Sequence, residues 1–293
     1  MPITAEDLGN LVALQRSYPM HRSRAFARAA TGSEDNAKLI NEVLNLYPPR
    51  ALYFIFTLLN RVEELKLAPF QQEILDALLL SALDAGHSLN PWPETEESPR
   101  TLAQPEDYVE RNLWQVMENV VDDWINASKP VALSCWPELP ESPGISLHRG
   151  RMRDLPPPTD DLSPDAIFST IPRPYAAFWT LSAVWSTWLW GKESTASYLS
   201  ILERRRFDWS WHGTALQSAF AAGSKLLIPG SPVIALLPEP STGLTNAVFN
   251  AASASAWQLT GMSCAGEWLP FQCTWKTGSQ VGPAGKTNSQ RII

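Results

Sequence analysis

The chain has 293 residues, 44% of them apolar, enough for one large domain or two modest ones with real cores. A net charge of −7 excludes an overall basic footprint, so any nucleic-acid contact must be local. Three scattered cysteines (Cys135, Cys264, Cys273) and four histidines without ligand spacing (His21, His87, His148, His212) argue against a disulfide scaffold and point to no bound metal.

Residues 1–7 lack the basic-then-apolar order of a signal peptide, so a cytoplasmic protein is expected. His21-Arg22-Ser23-Arg24 with Arg28 forms a local basic cluster. Helices are expected over 36–46, stopped by Pro48-Pro49, over 50–67, and over 68–85, ended by Gly86. Asn60, Arg61, Glu63, Glu64 and Lys66 spoil the second of these as a membrane span, and no membrane partner is expected. Residues 90–105 read as a Pro-rich loop. The clearest helix covers 108–127, with Leu113, Val116, Met117, Val120, Val121 and Trp124 on one face. Glu106, Asp107 and Glu110 near its start suit the helix dipole.

Beyond about residue 140 the period changes. A short strand is expected over 144–148, a Pro/Asp-rich loop over 153–164 and a buried strand over 165–171. Helices follow at 175–191, 194–206 and 211–227, then an apolar strand at 232–237. Ser241 caps a helix reaching about residue 258, and 259–275 carries one or two strands. The polar, Gly-rich residues 278–293 read as a disordered tail. Strands alternating with helices through crossovers this long imply an α/β fold, a parallel sheet with helices on both faces. The expected organisation is a helical region over 1–140, an α/β half over 141–277 and the tail. Ligands in such sheets sit beyond the carboxyl ends of the strands, which points to loops 150–154, 172–175 and 238–241. Of thirteen tryptophans, seven lie from Trp179 to Trp257, and an aromatic core is expected around Trp179, Trp185, Trp188 and Trp190.

Three motifs in order carry a resemblance. Leu147-His148-Arg149-Gly150-Arg151-Met152-Arg153-Asp154-Leu155 looks like a strand ending in Gly-Asp-x-x-x-Leu, with Arg151 where the acid would stand and Asp154 displaced. Ile171-Pro172-Arg173-Pro174-Tyr175 looks like a catalytic Asp/Asn/Ser-Pro-Pro-Tyr/Phe loop, with Ile171 for the polar residue and Arg173 for the second proline. Residues 226–234 look like a Leu-x-Pro-Gly-Gly turn before a strand. The segment 144–275 thus resembles the second half of a Rossmann-like S-adenosylmethionine-dependent DNA methyltransferase. Pro172-Arg173-Pro174 together with the 204–212 run resembles bacterial methylase-like proteins. The resemblance implies a partial Rossmann-like sheet and methyl transfer to an exocyclic base amine. It implies S-adenosylmethionine as cofactor, with Asp154 and Arg151 on its adenine side. It places Pro172, Arg173, Pro174 and Tyr175 in the catalytic loop. There the leading polar residue and the first proline's carbonyl accept from the amine, and the aromatic stacks on the flipped base. The chain has no acidic-x-Gly-x-Gly cofactor loop; Ala30-Thr31-Gly32-Ser33-Glu34-Asp35 comes nearest but follows no strand. A working enzyme then needs that loop from a second chain or another segment. Otherwise the chain is a catalytically silent DNA-binding or structural partner.

Arg204, Arg205 and Arg206, followed by Phe207, Trp209, Trp211 and His212, interleave charge with stacking surface, as in a platform for DNA bases. The same run also suits a dipole-favoured helix end followed by a Trp-bearing turn. Arg173 reads as a bidentate grip for phosphate or carboxylate, or as a surface arginine in a rigid turn. His212 has no carboxylate or nucleophile at a telling spacing and reads as structural. Glu239 stands either at the ligand edge of the sheet or in a plain loop.

Overall fold

The computed structural model describes residues 4–94, 99–127, 129, 131–141, 143–148, 150–157, 164–202, 208–238, 241–264 and 271–278. Arg149, Arg204, Arg205, Arg206, Phe207, Glu239 and the tail from 279 lie outside them. The chain is mixed α and β, and mostly helical. Contacts divide it into two units, Met1–Lys129 with Tyr175–Arg206, and Pro130–Pro174 with Phe207–Ile293. The division is therefore not one cut near residue 140. The segment from Tyr175, read from sequence as part of the α/β half, joins the helical unit because its indoles bond there.

That unit holds α1 (Ala5–Ala29), α2 (Glu34–Asn45), α3 (Pro49–Glu64), α4 (Pro69–Ala85), α5 (Leu113–Ala127), α6 (Ala176–Ser194) and α7 (Ala196–Leu202). Ser33 Oγ accepts from Asn36 N to cap α2, and Pro49 opens α3, where its missing N–H has no helical partner to lose. α5 starts at Leu113, not 108, because Asn112 Oδ1 accepts from Trp114 N at 3.1 Å while Tyr108 bridges Pro91. Glu106, Asp107 and Glu110 therefore precede the helix, and Glu110 pairs with Arg50. Only part of the expected α5 face is covered: Leu113 and Met117 are buried, Val121 and Trp124 exposed.

α6 ties the unit together. Ala177, Leu181, Val184 and Trp188 form its buried stripe. Trp188 Nε1 donates to Ala25 O at 2.9 Å, and the ring sits edge-on to Tyr47 and Phe56. Trp185 Nε1 donates to the Tyr47 hydroxyl at 2.6 Å, which donates to Leu83 O at 3.0 Å. Trp190 Nε1 donates to Asp76 Oδ2 at 3.0 Å. The helical path breaks at Gly191, whose φ of 76° suits a residue without a Cβ. The basic cluster of α1 is used internally. Arg22 donates to Asn45 Oδ1 at 2.9 Å, Arg28 reaches Glu63 at 2.6 Å and Trp188 O at 2.8 Å, and His21 is buried against Tyr53.

The second unit holds β1 (Ala132–Cys135), β2 (Gly144–Leu147), β3 (Ile167–Thr170), α8 (Trp209–Ser224), β4 (Pro232–Leu237), α9 (Thr242–Ala254), β5 (Trp257–Cys264) and β6 (Phe271–Thr277). The expected parallel sheet is corrected in two respects. β2 pairs only with β1, in a separate parallel pair. The main sheet runs β3-β4-β6-β5, with β3 and β4 parallel and β6 reversed against both β4 and β5. The connection from Cys264 to Phe271 is too short for a crossover, so β6 must return antiparallel. Among the described residues of this unit, α8 and α9 pack on the same face of the sheet, not on both. Leu216 and Phe220 of α8 share one cluster with Leu244, Val248 and Ala251 of α9 over Val233, Ala235, Leu237, Cys273 and Trp275. Register puts those strand residues on one face, and Phe168 on the other is exposed. No helix among the described residues is long and apolar enough to cross a membrane.

Trp188→Ala is expected to destabilise the helical unit by about 3–5 kcal/mol, through the cavity and the orphaned Ala25 carbonyl. Trp124→Ala, at an exposed position, should change stability by less than about 0.5 kcal/mol. Denaturant midpoints followed by circular dichroism check both.

Candidate functional site

β3 and β4 run parallel, so the chain leaves both at one edge of the sheet. Ile171 is 2% exposed and extends the ladder, its N–H donating to Leu236 O at 2.9 Å. Pro172 is exposed, whereas Pro174 is buried and Arg173 is only 9% exposed. The surface-arginine reading is therefore corrected. Tyr175 belongs to the helical unit, just before α6, with the Arg100 guanidinium 5.5 Å from its ring centroid. One face of that ring already carries a cation.

His212 joins the loop to α8. It is 2% exposed, and burial holds the imidazole below its ordinary 6.5, an effect partly offset by the Pro172 backbone. Nε2 has no hydrogen-bond partner among the described residues. Trp209 lies edge-on at 5.9 Å and Trp211 tilted at 6.1 Å. Asp208 caps α8 by accepting from Trp211 N at 2.9 Å, and Ser241 caps α9 by accepting from Leu244 N. Two motifs some 40 residues apart in sequence, the Pro172 loop and the Trp209–His212 run, thus meet at one sheet edge. The Trp209 ring rests on α9 at Gly243, where an added Cβ would lie 2.3 Å from Cε2 and 2.4 Å from Nε1. Only glycine admits that approach.

Arg151 and Asp154 sit at a short 3-10 turn, Met152–Asp154, packed against α8. Arg151 Nε lies 2.6 Å from Asp154 Oδ2, and Arg153 Nε lies 3.6 Å from Oδ1. The acid that the resemblance places beside a cofactor is neutralised by its own neighbours. The turn also follows β2, outside the main sheet. Among the described residues no cluster of three or more His, Cys, Asp or Glu can hold a metal.

Sequence reading misses a groove of about 540 Å³ between α8 and α9, with Trp209, Thr214, Gln217, Gly243, Asn246 and Asn250 in its lining. The signal for it is the spacing of Gly243, Asn246, Ala247, Asn250 and Ala251, small and amide residues on one helix face. No protein-family model matches this chain, and no curated protein matches it in sequence.

His21, His87 and His212 are all held below 6.5, chiefly by burial. Each stays neutral in the folded chain where the unfolded chain takes up a proton. The stability they contribute is complete above about pH 6.5 and is lost as pH falls through the folded values. Denaturant midpoints are expected to drop between about pH 7.5 and about pH 5.5, and His212→Gln should lessen the drop. A pH-independent midpoint would contradict this.

Proposed function

We propose that this chain is a DNA methylase-related protein that binds nucleic acid and does not transfer methyl groups by itself. The observation that carries the proposal is the junction of the Pro172 backbone with buried His212, flanked by Trp209 and Trp211 at the carboxyl end of the parallel β3–β4 pair.

The described residues do not fit S-adenosylmethionine. Asp154 is ion-paired with Arg151 and Arg153, so its carboxylate already has cationic partners from its own turn. Amine activation lacks its acceptors too. Ile171 is apolar and buried, and His212 engages the Pro172 backbone. What supports nucleic-acid binding is the half-open Trp209 indole, close in sequence to Arg204, Arg205 and Arg206. Stacking surface beside cations is the chemistry of single-strand binding. A second reading, half of a split methyltransferase completed by a second chain with the glycine-rich loop, is favoured by the Pro172 loop leaving a parallel strand pair.

Anisotropy titration with a labelled single-stranded oligonucleotide should show saturable, salt-dependent binding. Replacing Arg204, Arg205 and Arg206 with alanine should flatten the slope of log K against log salt by about 2. Calorimetry should show no binding of S-adenosylmethionine up to the millimolar range. Saturable cofactor binding by this chain alone would overturn the non-catalytic reading. Absent or salt-independent oligonucleotide binding would overturn the nucleic-acid reading.

A further inference from the structure

The α8–α9 groove has a chemistry that the proposed function does not require. Its lining contains Ser210, Thr214 and Gln217 from α8 and Asn246 and Asn250 from α9, with no charged side chain among the described residues. Gly213, Gly243, Ala247 and Ala251 add small apolar surface to the lining, and Trp209 adds an indole. Asn246, Asn250 and Gln217 make no side-chain hydrogen bond to another described residue. Primary amides therefore stand on both walls, each offering a donor pair and an acceptor.

The described lining gives a phosphate or carboxylate no counter-ion, which favours a neutral occupant. Apolar surface in the lining favours a flat ring over a hydrated one. Side-chain amides match the adjacent donor and acceptor of a base edge, as Asn and Gln do with adenine. The tight seat of Trp209 on Gly243 holds a partly exposed indole in the lining, where a ring can stack on it. The volume, about 540 Å³, falls within the usual range for small-molecule pockets.

We infer that this groove binds a neutral nucleobase, presented by a free nucleoside or by an unpaired nucleotide of a single strand. Asn246 and Asn250 read the base edge, and Trp209 stacks on the ring. The site does not depend on methyl transfer or on the arginines of 204–206.

The test is calorimetric titration of the full chain with adenosine, cytidine, methyl glucoside and a short single-stranded oligonucleotide. Nucleoside binding is expected to be saturable, and Asn246→Ala and Asn250→Ala should each weaken it about tenfold. Both asparagines are exposed, so thermal unfolding should hardly change. Gly243→Ala, which displaces the indole, should weaken binding and alter the near-ultraviolet tryptophan signal. Binding of the oligonucleotide alone, still sensitive to both asparagines, assigns the site to unpaired nucleotides. Binding of nucleosides when the arginine variant has lost oligonucleotide affinity assigns it to free nucleosides. No binding of either, binding indifferent to all three variants, or equal binding of methyl glucoside overturns the inference.

Discussion

A tryptophan-bearing helix can be buried only where its indole N–H groups find acceptors, and the helical unit is organised around that demand. α6 draws three acceptors of three kinds: the Ala25 carbonyl in α1, the Tyr47 hydroxyl after α2, and the Asp76 carboxylate in α4. Apolar burial alone has no direction and would let these helices slide. Each hydrogen bond fixes one of them against α6. Tyr47 serves twice, accepting from Trp185 and donating to Leu83 O. Burial pushes its hydroxyl pKa up, which keeps the proton that the second bond needs. Fully buried Ala25 and Ala29 let α1 approach closely enough for the Trp188 bond to form.

The second unit rests on a different constraint. β4 is flanked by a parallel strand and a reversed one, and its alternate residues Val233, Ala235 and Leu237 face one helical layer. α8 leads into β4 and α9 leaves it, so both helices begin at the edge where β4 ends. That topology brings Trp209 onto Gly243 and His212 beneath Pro172. The groove and the His212 junction are both consequences of two helices sharing one face of the sheet.

Much of this was legible in the chain. β4 reads correctly because a six-residue apolar run stands between Gly230 and Pro238. The bounds of α2, α3 and α4 follow from their proline and capping signals. α1 escapes because Pro19 interrupts it and most of its first turns face water, leaving no apolar stripe to read. Strand direction escapes for a deeper reason: alternation marks a strand but carries no sign, so β6 could not be seen to reverse. Depth is equally silent, and Arg173 looks the same in sequence whether exposed or buried. Arg151 and Asp154, by contrast, stand three residues apart, a spacing that announces their ion pair. The groove on α9 reads as an ordinary helix face until α8 is laid opposite.

The methyltransferase resemblance is carried by backbone grammar: a strand, a proline-stiffened exit and a turn before the next strand. Such grammar constrains geometry and leaves side-chain chemistry open. At each position where catalysis would need a free group, this chain has committed it. Asp154 answers to two arginines, the Pro172 backbone to His212, and one face of Tyr175 to Arg100. In the α8–α9 groove, by contrast, the side-chain amides of Gln217, Asn246 and Asn250 make no hydrogen bond to another described residue. Primary amides facing one another across two helices suit the proposed role, which is to hold a base rather than to alter it.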